Sequence, residues 1–185
     1  MRKVFLFLYP VKEYFDEYLK NASPRSLQVL NECIEKRYRD KGYEVVFAIH
    51  PDRDIFGVEK KDEDDSIDTG ISFEDFYYKP GNSYPDPAYM LEQIGRCDKL
   101  VIGGFHHRDC VKRVASYCYY EKNVDVLVDL DLTELFFSVY WQKEYFKIDK
   151  YSPDRYKKFR KGMKDEKYDA LMCPYYGFDK NDRNR

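Results

Sequence analysis

The stretch Leu100–Val114, LVIGGFHHRDCVKRV, carries the most information in the chain. An apolar strand closes on Gly103-Gly104. A short loop, Phe105–Asp109, follows, and Cys110 then falls in the first turn of an amphipathic helix predicted from about Asp109 to Glu121. The unpaired N–H groups and the dipole of a helix N-terminus stabilise a thiolate. The same N–H groups can receive the negative oxygen of a tetrahedral intermediate. A cysteine at a strand-to-helix turn therefore reads as a candidate nucleophile.

Outward from this stretch, short apolar runs alternate with helical segments. Lys3–Tyr9, Glu44–Ile49, Lys99–Gly104 and Val124–Leu130 read as buried strands, with Phe76–Lys79 as a further short strand and Asp169–Cys173 as a last one. Helices are predicted after Ser23-Pro24, with Leu27, Leu30, Ile34 and Tyr38 at helical spacing and Gly42 as the stop, and from Asp86-Pro87 to Gly95. Thr133 and Ser152-Pro153-Asp154 mark further helix starts. The charge run Glu59–Asp65 reads as a solvated loop. Strands alternating with helices imply crossover connections and a mostly parallel sheet of about six strands, covered on both faces in three α/β/α layers. Ligand sites in such sheets lie outside the carboxyl ends of the strands. The residues to inspect are those at Tyr9-Pro10, His50–Asp54, Lys79–Ser83, Phe105–Cys110 and Asp129–Thr133.

The 185 residues suggest one domain, spanning 1–185 with a helical C-terminal extension from about 133. Hydrophobic residues at 43 % and charged residues at 36 % fit a globular protein and argue against a disordered chain. The run Val4–Tyr9 is too short for a membrane span or a secretory leader, so a cytoplasmic, non-membrane protein is expected. A net charge of −2 draws the chain to no polyanion. The basic, aromatic-bearing stretch Lys147–Lys167 reads as an amphipathic surface helix, so no nucleic-acid partner is expected; salt-dependent RNA binding is the reading it competes with. Five cysteines without zinc-ribbon or disulfide spacing read as reduced thiols. Four of them, Cys33, Cys97, Cys118 and Cys173, read as small apolar residues.

Gly104, the five residues Phe105–Asp109, Cys110-Val111, the helix to Glu121 and the strand Val124–Leu130 resemble the signature of the isochorismatase-like cysteine hydrolases, which include nicotinamidases and N-carbamoyl amidases. The segment Tyr78-Lys79-Pro80-Gly81-Asn82-Ser83 resembles that family's second element, a lysine followed four positions later by a serine. The resemblance covers roughly residues 3–131. It implies an isochorismatase-like fold and hydrolysis of a C–N, amide-like bond in a small molecule. Cys110 would be the nucleophile, Lys79 its support, and the N–H groups of Asp109 and Cys110 the oxyanion hole. It also implies a cis peptide at Phe105–His106 and a homo-oligomer. Tyr9, Pro10, Ser83, Tyr84 and Phe105 would wall the substrate pocket.

The family's aspartate at the end of the first strand has no counterpart, because Tyr9 or Pro10 stands there. A tyrosine with a reference pKa of about 10 is a poor base near neutrality. His106 or His107 could replace it, or a neighbouring subunit could supply the base. The nicotinamidase metal pattern is also broken. His50-Pro51 is in place, but Ala48 stands where an aspartate is needed, so no metal and no cofactor are expected. Two readings follow: a cysteine hydrolase, or a catalytically disabled relative that binds a small ligand or a protein.

Overall fold

The computed structural model describes residues 1–19, 26–79, 83–133 and 172–173. Strand β1 (Lys3–Leu8, KVFLFL) is apolar from Val4 onward because it lies between β2 (Glu44–Ile49) and β4 (Lys99–Gly104), covered on both faces. β3 (Asp65–Asp68) flanks β2, and β5 (Asp125–Thr133) flanks β4. The order is β3-β2-β1-β4-β5, every pair is parallel, and the two-residue β6 (Met172–Cys173) adds to β5. The α/β class with a parallel sheet is therefore as read from the sequence. Phe5 pairs with Val45 on one side and Val101 on the other. The chain runs outward from β1 through β2 and β3, then returns to start β4 on β1's opposite side. The direction of winding thus reverses between β1 and β4, where an open α/β sheet leaves a crevice at its carboxyl edge.

Helices α1 (Lys12–Leu19) and α2 (Ser26–Arg37) fall between β1 and β2. A single turn, Arg39–Lys41, stopped by Gly42 at φ 67°, completes that connection. α4 (Pro87–Ile94) opens on the Asp86 cap and ends at Gly95. α5 (Lys112–Glu121) is preceded by a wide turn, His107–Val111. The segment Phe76–Lys79 is not a strand. It belongs to α3 (Phe73–Tyr78), whose N-terminus is held by the Ser72 side chain accepting from Asp75 N–H (3.0 Å) and by the Asp52 carboxylate accepting from Phe73 N–H (2.6 Å). That capping overrides the β preference of the aromatic run. The charge run is a loop over residues 59–64, as read, and only its last residue, Asp65, enters β3; Asp64 is buried and paired with Arg39 (2.5 Å). α1 had no clear expectation in the sequence. The Ser23-Pro24 start and the C-terminal helices lie outside the described residues. Among the described residues, no helix is long and apolar enough to cross a membrane.

One polar cluster is sealed inside the fold. Asp129 and Asp131 alternate on β5 and face the Arg37 guanidinium at 3.3 and 3.0 Å. Tyr38 donates to Asp129 (2.5 Å) while its ring stacks on Phe5 at 3.8 Å. Two carboxylates share one cation, and burial pushes Asp131 up to about 8, with Arg37 opposing and Asp129 adding to the rise. The pair therefore retains about one proton at neutral pH in the folded state. An unfolded aspartate has lost that proton above pH ~4. The folded state thus binds more protons between about pH 4 and 8, and this contribution to stability is lost as pH rises through that window. Asp131→Asn mimics the protonated acid. The difference in unfolding free energy between wild type and this variant should shift toward the variant by a few (~2–4) kcal/mol from pH 4.5 to 8. Urea denaturation at several pH values measures it, and a constant difference would contradict the assignment.

Candidate functional site

The crevice between β1 and β4 is built by two tight backbone turns. Gly104 has φ 97°, and a Cβ there would sit 2.2 Å from the Leu8 carbonyl oxygen, so the position admits glycine alone. Phe105 N–H then donates to that same carbonyl (3.1 Å). On β1's side, Tyr9 turns at φ 56°, held by Tyr9 N–H to Ala48 O (2.9 Å) and Val11 N–H to Tyr9 O (2.8 Å). The Phe105–His106 peptide is cis, at the position the family resemblance implies. In the turn that follows, the N–H groups of Asp109 and Val111 both donate to His106 O at 3.1 Å.

These turns bring Cys110 and Tyr9 together. Cys110 is 2 % exposed, and Tyr9 is fully buried. Burial first, then the Cys110 sulfur beside the phenol, and lastly Tyr14 and Asp109, raise the Tyr9 hydroxyl well above the ordinary tyrosine range. Tyr14 on α1 is raised in the same way by burial and then Cys110. The Tyr9 hydroxyl meets the Cys110 sulfur, whereas the Tyr14 hydroxyl has no hydrogen-bond partner. Phe105 is buried between Tyr14 (5.3 Å) and Phe15 (5.2 Å), and Pro10 is buried as well. His106 is half-buried, packed edge-on against Tyr14 (4.5 Å), and burial lowers its pKa. His107 is buried at the head of the turn.

Lys79 caps the far end of α3, where its ammonium pairs with the Asp75 carboxylate in solvent. Asp75, and more weakly Glu74, raise its pKa. The structure thus couples Cys110 to tyrosines and couples Lys79 to a surface aspartate. Ser83 is exposed. Tyr84 is half-exposed under the Arg113 guanidinium at 3.8 Å, and Arg113 also holds the Asp109 carboxylate (3.0 Å).

Two side chains at this edge were not singled out as pocket residues by the sequence. Tyr14 lies on the unforeseen helix α1. His50, at the end of β2, is fully buried with its ring 4.9 Å from Tyr9 and 5.5 Å from both Phe73 and Phe76. Its Nδ1 lies 2.8 Å from Ile71 O and 3.1 Å from Thr69 Oγ1, while Nε2 has no partner. A carbonyl only accepts, so Nδ1 carries the proton and Nε2 presents a bare lone pair. Burial lowers the His50 pKa and keeps the ring neutral. Among the described residues, no three His, Cys, Asp or Glu side chains converge as a metal ion would require.

No family model matches the chain, and no curated protein matches it.

The glycine requirement can be tested directly. Gly42 has φ 67° with open space around its virtual Cβ, so Gly42→Ala should cost only about 1–2 kcal/mol of left-handed backbone energy. Gly104→Ala adds a collision with β1 and should cost more than about 3 kcal/mol, read from urea midpoints of the two variants.

Proposed function

We propose that this chain is an isochorismatase-like protein, with that family's three layers and about six strands, whose cysteine crevice binds a small ligand without hydrolysing it. The observation that carries the proposal is Tyr9: a phenol, not a carboxylate, lies against the Cys110 thiol, and its surroundings raise rather than lower its proton affinity. Cysteine hydrolysis needs a group that takes the thiol proton and returns it to the leaving amine. A tyrosine held above its ordinary pKa performs neither half of that transfer near neutrality. The remaining parts point the same way. Asp109 is engaged by Arg113, and Lys79 by Asp75. The Asp109 N–H, half of the expected oxyanion hole, already donates to His106 O. On this reading the protein is a cytoplasmic homo-oligomer whose partner is a small molecule rather than nucleic acid or membrane.

The second reading, a hydrolase of C–N bonds using Cys110 and Lys79, is favoured by one feature. The thiol sits in the first turn after β4, beside the β1–β4 crevice, where the fold places chemistry. Thiolate character separates the two. Iodoacetamide at pH 7, followed by peptide mass spectrometry of the native protein, should modify Cys110 no more than about tenfold faster than buried Cys33, whose pKa burial pushes up to about 12. Selective labelling of Cys110, hundreds-fold faster and with an apparent pKa well below the usual thiol value, would overturn the binding reading in favour of the hydrolase.

A further inference from the structure

We propose that the crevice recognises a neutral ring lactam or cyclic imide, its carbonyl oxygen accepting from the Tyr9 and Tyr14 hydroxyls and its adjacent N–H donating to His50 Nε2. The inference rests on reading the crevice as a ligand-binding site and adds the chemistry of the ligand. Tyr9, Tyr14 and His50 are all fully buried; the Tyr14 hydroxyl and His50 Nε2 have no hydrogen-bond partner, and the Tyr9 hydroxyl is met only by the Cys110 sulfur, a weak partner. A buried polar group left unpaired is costly, and native structures hold few of them without a ligand or ordered water to complete the bond. These three belong to one patch. The Tyr9 ring lies 4.9 Å from His50, His50 lies 5.5 Å from Phe73, and Phe73 lies 5.4 Å from Tyr14. Both phenols also feel the Cys110 sulfur.

The donor and acceptor inventory sets the ligand. Two phenol O–H groups donate, which matches the two lone pairs of a single carbonyl oxygen. His50 Nε2 is an acceptor because Nδ1–H is spent on Ile71 O, so the ligand must supply a donor. A lactam carries C=O and N–H side by side on one edge and stays neutral near pH 7. Neutrality is required because the nearby charges are taken. Arg113 holds Asp109, and Arg53 holds Glu13, Asp52 and Glu74. Tyr77 donates to Glu17. A charged ligand would lose its hydration without gaining a counter-ion. Flatness follows from the aromatic rings around the patch: Phe73 and Phe76 each lie 5.5 Å from His50, and Phe105 lies 5.3 Å from Tyr14.

Uracil and 2-pyridone are suitable neutral probes, with benzoate as the anionic ring of similar size. Titration of the full chain, followed by the ¹⁵N resonance of His50 Nε2 and by calorimetry, should show the lactams binding at least about tenfold more tightly than benzoate. The Nε2 signal should move as its lone pair accepts a hydrogen bond. Tyr9→Phe and Tyr14→Phe, which keep the rings, should each weaken lactam binding about fivefold to tenfold. Benzoate binding as tightly as the lactams, or lactam binding untouched by both Phe variants, would overturn the ligand class and leave the binding site standing. Absence of any shift at Nε2 with all three probes at about 10 mM would overturn the lactam assignment; should Cys110 also label rapidly with iodoacetamide, the binding reading falls with it.

Discussion

The Leu8 carbonyl is the point on which the site depends. It accepts from Phe105 N–H across the β1–β4 junction, and the Gly104 α-carbon sits so close to it that no side chain can intervene. This contact locks the end of β4 to the end of β1 at the place where the sheet's winding reverses. Tyr9 and Cys110 both lie within a few residues of it. Tyr9 is the next residue on one strand. Phe105 and the turn carrying Cys110 are the next on the other. Were the strands free to splay here, the thiol and the phenol would not lie together. The parallel pairing of Leu8 with both Ala48 and Gly104 gives this carbonyl a fixed position.

Tyrosine is abundant, at 19 residues, and two of them have a physical role at this edge. Tyr9 and Tyr14 bury large rings against His50, Phe73 and Phe105 while carrying a neutral donor into the interior. The charged side chains are arranged around this neutral centre. Arg53 joins α1, the loop after β2 and α3 through Glu13, Asp52 and Glu74, and its guanidinium lies 4.5 Å over Phe73. Ion pairs of this exposed kind contribute little stability individually. Several on one arginine do fix the relative positions of the elements that wall the crevice. The buried Arg37–Asp129–Asp131 cluster follows a different rule: fully ionised it would carry one negative charge more than its cation cancels, so it keeps a proton and ties its protonation to folding.

Sequence reading was strongest where one physical effect dominated. β2 and β4 have the bounds their apolar runs dictate, and β1 is one residue shorter, because strands covered on both faces must be apolar almost throughout. The α4 boundaries followed from Asp86, Pro87 and Gly95, whose preferences are local. Reading failed where a tertiary partner decided the outcome. Phe73–Tyr78 is helical because Asp52, remote in sequence, caps it, and within the charge run Asp64 alone turns inward, because Arg39 neutralises it. The site was legible in part. The positions of Cys110 and Tyr9 just beyond the ends of β4 and β1 were legible from the apolar runs that precede them. Tyr14 and the free face of His50 were not, since α1 carries no sharp start signal and the tautomer of His50 is set by the Ile71 carbonyl.

Tyr9 stands where the isochorismatase-like reading expects a carboxylate. A carboxylate at this position would be wholly buried, and the cation expected to support it, Lys79, is paired with Asp75 at the protein surface. Burial without a counter-ion drives a carboxyl group toward its neutral form. An aspartate here would therefore be held protonated and would serve as a base no better than the phenol does. On the isochorismatase-like reading, the base and its lysine stand or fall as a pair. A lysine released from the crevice removes the reason for a charge at the end of β1, and an uncharged residue there removes the reason to keep the lysine inside. Tyrosine satisfies what is left: it fills the volume, tolerates burial in its neutral form, and leaves a hydroxyl facing the thiol.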